Sequence, residues 1–325
     1  MSPRVMIIGR QAGSFPEGVP ETETGARYVM AESMADVRAS LSECDVGFQY
    51  GHPRDALSAN WELTDRLRWV HVGGVGIDWA LFPELIESDV VLTNSRGVFD
   101  VSLPEYLLSL MLASVKDLPA TFRAQQRHEW QHRLLEPLAR GRAVIVGAGS
   151  IARASGRLLR AIGMEVTLVG RSAREGEPDV GRIEAIADLP QLLPHADWLI
   201  VLVPLTPETR GLIGADELAA LPRGARFANI GRGPTVDEAA LIDSLRSGHL
   251  AGAVLDVFER EPLPPDSPLW AMPNVIVSPH IGGDEADTPR AFAEVFLANL
   301  RRYLAGQPLE NVVDKRLGFV PPEHR

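Results

Sequence analysis

Short apolar runs recur along the chain, each followed by a stretch whose hydrophobic positions repeat with helical spacing. The runs fall at 5–8, 46–49, 69–72 and 90–92, then at 143–146, 166–169, 198–203, 225–230, 253–257 and 275–277. Runs that are apolar on both faces suit strands covered by helices on both sides. Their alternation with helical segments predicts an α/β protein with parallel, doubly wound sheets. The pattern predicts two such units, one over residues 1–100 and one over 101–284. Residues 287–304 have the periodicity of a long amphipathic helix, which can return to pack on the first unit.

The length, 325 residues, agrees with two domains, and 45% hydrophobic residues can fill a core in each. A net charge of -11 argues against a nucleic-acid or anionic-membrane partner, since both need a basic footprint. Cys44 is the only cysteine, so an internal disulfide or a clustered-thiolate metal site is excluded. This fits a reducing, cytoplasmic setting, with Cys44 as a buried thiol and no metal site. The apolar start of the chain is too short for a signal peptide and is interrupted by Arg10. The apolar helix expected over 103–115 carries Glu105 and is too short to span a bilayer. The polar, proline-containing tail, 315–325, is expected on the surface or against a partner subunit.

The stretch "VIVGAGSIARASGRLL", 144–159, runs from a strand through glycines into a helix. Gly147 permits the tight turn, and Gly149 lets backbone approach a pyrophosphate. The helix that follows offers its N-terminus to negative charge. Ala152 stands at the third glycine position, where a small residue is enough. This context predicts a dinucleotide site; the plainer reading is a tight strand-to-helix turn. The end of the next strand separates NAD from NADP. An NAD site places Asp or Glu there, about 20 residues on, to hold the ribose 2′-OH. Here that position is Gly170, followed by Arg171, Ser172, Ala173 and Arg174. Two guanidiniums and a hydroxyl can bind a 2′-phosphate that a carboxylate would repel. NADP(H) is therefore expected over NAD(H), unless both arginines are merely solvated.

Three later strand ends carry reactive residue types: Arg232 in "FANIGRGPTVDEAAL", Asp256, Glu259 and Glu261 in "AVLDVFEREPLP", and His280 in "VIVSPHIGG". In open α/β sheets ligands bind outside the carboxyl ends of the strands. Reduction of a ketone leaves an alkoxide that needs a proton, and a histidine is suited to give it near neutral pH. Glu261 would orient His280, and Arg232 would hold a substrate carboxylate bidentately. Each residue alone also has a plainer reading: a surface arginine, a charged loop, a core histidine.

Together with "ADWLIVLVPLTPETRGLI", "HVGGVGIDW" and "VLTNSRGVFDVSLPEYLLSLML", these stretches resemble the D-isomer-specific 2-hydroxyacid dehydrogenase family in order and spacing over most of 69–313. The resemblance implies a Rossmann coenzyme domain, 101–284, inserted in a flavodoxin-like substrate domain made of 1–100 and 285–325. It implies His280 and Glu261 as the acid/base pair, with Arg232 as clamp. Ser150 and Ile151 would meet the pyrophosphate, and Pro204 and Thr209 would face the dinucleotide. Ile230 and Gly231 would lie at the nicotinamide, Asp256 on its carboxamide, and Gly282 against the coenzyme. The backbone amides of Val75 and Gly76 would take the substrate carboxylate. The family's NADP-using glyoxylate/hydroxypyruvate reductases often show the Gly-Arg-x-x-Arg seen here at 170–174. The resemblance also implies a homodimer and a small-molecule 2-ketoacid or 2-hydroxyacid substrate, of glyoxylate/hydroxypyruvate type or larger. Glu261 departs from the formate-specific branch, which has glutamine there, and Val75 departs from the phosphite-specific branch, which has lysine. Asp284 and Glu285 make the stretch after His280 more acidic than the family pattern, marking a cleft mouth or a domain hinge. Trp130 and His132 are candidates for the substrate pocket or for a helix face at a dimer contact. The alternative from another class is a dinucleotide-sensing regulatory protein of corepressor type.

Overall fold

The computed structural model describes residues 2–9, 25–51, 53–177 and 179–321. It divides into two compact units, Met1–Val98 with Glu285–Arg325, and Phe99–Asp284. The second unit therefore interrupts the first in sequence, and the junction falls between Asp284 and Glu285.

In the first unit, β1 (Arg4–Gly9), β2 (Arg27–Ala31), β3 (Val46–Tyr50), β4 (Trp69–Val72) and β5 (Val91–Asn94) form a parallel sheet in the order β2-β1-β3-β4-β5. That is the flavodoxin-like order. The hydrophobic pattern did not point to β2, because it is an edge strand with only Ala31 buried. Helices α1 (Met34–Ser40) and α2 (Pro83–Glu87) belong to this unit. Cys44 is buried, and burial pushes its thiol up to about 11.

The second unit begins with α3 (Ser102–Val115) and α4 (Leu118–Gln126), then β6 (Arg142–Val146), α5 (Ser150–Ala161), β7 (Glu165–Gly170), β8 (Arg174–Glu177) and β9 (Gly181–Ala185). It continues through α6 (Leu189–Leu192), β10 (Trp198–Val201), α7 (Ala215–Ala220), β11 (Arg226–Asn229), α8 (Glu238–Arg246), β12 (Gly252–Leu255) and β13 (Val275–Val277). The sheet order is β13-β12-β11-β10-β6-β7-β9-β8, parallel except for the outer β8–β9 pair. Side chains of each inner strand alternate between two cores. Val144, Val146, Leu199, Val201 and Phe227 enter one, and Ala143, Ile145, Trp198, Ile200 and Ala228 the other. This double burial is why the strands read as continuous apolar runs. β8 and β9, rich in charge, carry no such run.

Helix α9 (Thr288–Leu304) returns to the first unit. Phe296 stacks on Phe48 at 4.5 Å and on Trp69 at 5.3 Å, a large apolar contact for one side chain. The described part of the tail runs from partly exposed residues at 315–319 to buried Val320 and Pro321. Lys315 Nζ donates to the carbonyls of Leu85, Ser88 and Val90, pinning the chain beneath α2. Residues 322–325 lie outside the described residues. The helix face expected at Trp130 and His132 is also absent. α4 ends at Gln126, and His128 adopts a left-handed φ of 57°, which a helix cannot continue. Trp130 follows on non-helical backbone, 98% exposed.

Candidate active site

Strand register brings the chemistry to one edge. Leu255 of β12 pairs with Asn229 of β11 on one side and Val277 of β13 on the other. The residues just beyond, at 230, 256 and 278, are therefore level. Val201 pairs with both Val146 and Asn229, which sets the glycine turn on the same edge. The strand order reverses between β6 and β10, the place where doubly wound sheets open a ligand crevice.

His280 Nδ1 lies 2.7 Å from Glu261 Oε2, and Glu261 Oε1 accepts from the Phe258 amide at 3.0 Å. Partial burial raises the Glu261 pKa, but the His280 contact, the Phe258 amide and the charge of Arg232 outweigh it. The carboxyl is held below its usual range. It is thus the ionised partner of the ring near neutral pH. His280 has a φ of 56° and a side chain 45% exposed, so it is not a core histidine.

Asp256 fixes the loop that carries His280. It is 1% exposed. Its Oδ1 accepts from the Ser278 hydroxyl at 2.5 Å and the Ile281 amide at 3.1 Å, and its Oδ2 from the Gly282 amide at 2.9 Å. The loop is gripped on both sides of His280. Since Ser278 gives its one proton to Asp256, the Tyr106 hydroxyl of α3 donates to Ser278 in turn. A Cβ on Gly282 would lie 2.7 Å from Tyr106 and 2.9 Å from Asp256, so packing requires glycine there. Oδ1 takes two of these donors and Oδ2 one, so Oδ2 keeps a lone pair for the carboxamide contact that the resemblance implies.

Arg232 is set by its turn. Asn229 Nδ2 and the Thr235 hydroxyl donate to its carbonyl, while Asn229 Oδ1 accepts from the Gly231 amide. Gly233 makes the tightest approach: a Cβ there would sit 1.8 Å from the Phe258 carbonyl oxygen. That contact seats the Arg232 turn directly on the loop leading to Glu261. Gly233, Asn229, Ser278 and Tyr106 were not singled out from sequence. Their importance lies in loop-to-loop contacts, and residue type alone carries no sign of these.

The glycine turn fits a dinucleotide. Gly147 has φ 143°, and a Cβ there would lie 2.7 Å from the Leu202 carbonyl oxygen. Around Gly149 nothing lies within 4 Å of a Cβ position, which leaves room for phosphate. Gly149 is the N-cap of α5 with no side-chain cap, so the amides that open at Ser150 and Ile151 await an acceptor. Gly170 is buried between Ile183 and Ala148, and Arg174 Nη2 lies 3.6 Å from its Cβ position. Arg171 and Ser172 are exposed just after β7. The Pro204–Thr209 loop is closed by Thr209, whose hydroxyl donates to the Pro204 carbonyl at 2.7 Å. Ile230 is buried, and Gly231 lies close against the carbonyls of Val201 and Val203.

In the first unit, Asn94 Nδ2 donates to the Val75 carbonyl and the Ser95 amide to the Gly74 carbonyl, bracing the 73–76 loop. Among the described residues no group of three side chains is arranged to hold a metal ion, and no helix is long and apolar enough to cross a membrane.

The family described as D-isomer specific 2-hydroxyacid dehydrogenase, NAD binding domain, matches residues 108–282. A D-3-phosphoglycerate dehydrogenase of Methanocaldococcus jannaschii is 29% identical over 80% of this chain, which spans only 51% of that protein. A glyoxylate/hydroxypyruvate reductase B of Escherichia fergusonii is 35% identical, over 79% of this chain and 81% of its own length. The structure of an NADPH-dependent glyoxylate/hydroxypyruvate reductase from Sinorhizobium meliloti, in complex with NADP and sulfate, superposes with a TM-score of 0.83 at 30% identity. That match covers 98% of this chain and 100% of the other.

Proposed function

The chain belongs to the D-isomer specific 2-hydroxyacid dehydrogenases, and on that premise we propose that it reduces a 2-ketoacid to the D-2-hydroxyacid with NADPH. The observation that carries the reading is the 2.7 Å His280–Glu261 pair on the sheet edge that also presents Arg232 and the glycine turn. NADPH supplies the hydride when bound. The protein's residues do the rest. Arg232 holds the substrate carboxylate and draws electron density from the carbonyl. As the hydride reaches the carbonyl carbon, His280 gives its proton to the oxygen, completing the hydroxyl. Glu261, ionised, fixes the ring and balances its charge. In the reverse direction His280 takes the proton back. In their own unit, the Val75 and Gly76 amides are offered to a carboxylate.

The coenzyme reading rests on Gly170, Arg171, Ser172 and Arg174, with Ser150 and Ile151 at the pyrophosphate and Pro204, Thr209, Ile230, Gly231 and Gly282 around the rest. Asp256, besides gripping the His280 loop, takes the nicotinamide carboxamide. The NADP carried by the Sinorhizobium relative supports the preference. The substrate class is glyoxylate or hydroxypyruvate, or a larger 2-ketoacid. A homodimer is part of the proposal: Phe122, Trp130, Leu134 and Leu135 leave an exposed apolar stretch that a second copy would cover.

The test is loss of NADPH absorbance on a panel of 2-ketoacids, with NADH in parallel and chiral analysis of the product. Turnover to the D-hydroxyacid, faster with NADPH, is expected. An L-product overturns the reading. Tight NADPH binding without turnover on any acid overturns it in favour of a dinucleotide-sensing protein or of hydride chemistry on a substrate that is not a 2-ketoacid.

A further inference from the structure

Each arginine of the 170–174 stretch already faces a carboxylate. Arg174 Nε lies 3.6 Å from Glu177 Oε1, while its Nη2 reaches the Gly170 position. Glu177 Oε2 lies 2.7 Å from Nη2 of buried Arg153, whose Nη1 lies 2.7 Å from Asp179. Arg153 Nε donates to the Ala148 carbonyl, inside the glycine turn. On the other side, Glu208 is held below its usual range by the Thr206 hydroxyl, its own amide and the charge of Arg171.

The charges therefore alternate in a row: Asp179, Arg153, Glu177, Arg174. The row passes the glycine turn at Arg153 and ends over the strand end where a ribose 2′-substituent would sit. A carboxylate at position 170 itself would exclude a 2′-phosphate. Gly170 removes that exclusion, but Glu177 stands only one guanidinium further away.

We propose that Glu177 sets the coenzyme preference, partly neutralising Arg174 and so weakening the hold on a 2′-phosphate without abolishing it. The inference rests on the NADP reading above. A neutral 2′-hydroxyl feels this charge far less than a phosphate does, so Glu177 narrows the gap between NADPH and NADH. Its link to Arg153 keeps the carboxylate in place, and Asp179 continues to satisfy Arg153 when the charge of Glu177 is removed.

The experiment measures Kd for NADPH and NADH by coenzyme fluorescence in wild type, Glu177→Gln and Arg174→Ala. Glutamine keeps the shape of the side chain and removes its charge. The expected result is an NADPH Kd about three- to tenfold lower in Glu177→Gln, with the NADH Kd unchanged. The gain should shrink at high salt, as a charge effect must. A higher NADPH Kd overturns the inference, since Glu177 would then only prop Arg174 in place. Equal changes for both coenzymes overturn it too. Glu177→Ser serves the same test should the glutamine variant fail to fold. If Arg174→Ala leaves NADPH binding untouched, the phosphate reading itself fails, a result distinct from the other two.

Discussion

His71 and His280 are the same residue type in opposite surroundings. His71 lies in β4 of the first unit, fully buried. Its neighbours are Phe48, Trp69 and Phe296, and its hydrogen bonds go only to hydroxyls: Nδ1 to Thr93 at 2.8 Å and Nε2 to Ser95 at 3.1 Å. Trp69 Nε1 donates to Thr93, and the neutral ring accepts the Thr93 proton at Nδ1. The ring then gives its Nε2 proton to Ser95, which passes its own to the Val72 carbonyl. Neither partner carries a charge to hold a proton on the ring, and burial lowers the His71 pKa to about 3. His280 is half-exposed and faces an ionised carboxylate. The first histidine is a framework residue and the second is placed for proton transfer. Surroundings, not residue type, make the difference.

The contrast can be broken in four places. Gly233→Ala attacks the loop contact on the His280 side. The added Cβ would meet backbone at 1.8 Å and backbone cannot yield cheaply, so a loss of about 3 kcal/mol is expected. Turnover should fall about 10²-fold as Arg232 and Glu261 separate; a urea midpoint and kcat check both. Glu261→Gln keeps the shape and removes the charge, and kcat should fall about 10²-fold with coenzyme Kd nearly constant.

Titration separates the two histidines further. The His71 pKa is depressed on folding, so the unfolded chain binds the extra proton. Stability is full above pH 6.5 and is lost as pH falls from there toward about 3. The expected loss is roughly 1.4 kcal/mol per pH unit in that window. His71→Gln should flatten this slope in urea-melt series while turnover at neutral pH stays near wild type. The Glu261 pKa is also depressed, so its stabilisation is full above the ordinary carboxylate range and is lost only below it. Glu261→Gln should leave the slope above pH 4.5 intact. The smallest effect is expected of Tyr106→Phe, which removes the donor to Ser278 but leaves Asp256 gripping the loop. A fall in kcat of about threefold, with coenzyme affinity unchanged, is the measure.

Much of this was legible in the sequence. The doubly buried strands declared themselves as apolar runs, and Arg232, Glu261 and His280 stood at strand ends by type and spacing. The edge strand β2 and the charged β8–β9 pair did not, because neither is buried on two faces. His71 was silent for the opposite reason: inside "WVHV" it reads as one position of a buried strand. The gripping role of Asp256 and the seat under Gly233 depend on which loops touch, and that information appears only when β11, β12 and β13 are laid side by side.

The most direct test of the account is His280→Ala, assayed for turnover of the best 2-ketoacid and, in the same preparation, for NADPH binding by fluorescence. Turnover reduced by about 10³-fold or more is expected, with the NADPH Kd within about twofold of wild type. Turnover that survives, or coenzyme binding lost along with it, would contradict the assignment of His280 as the proton donor.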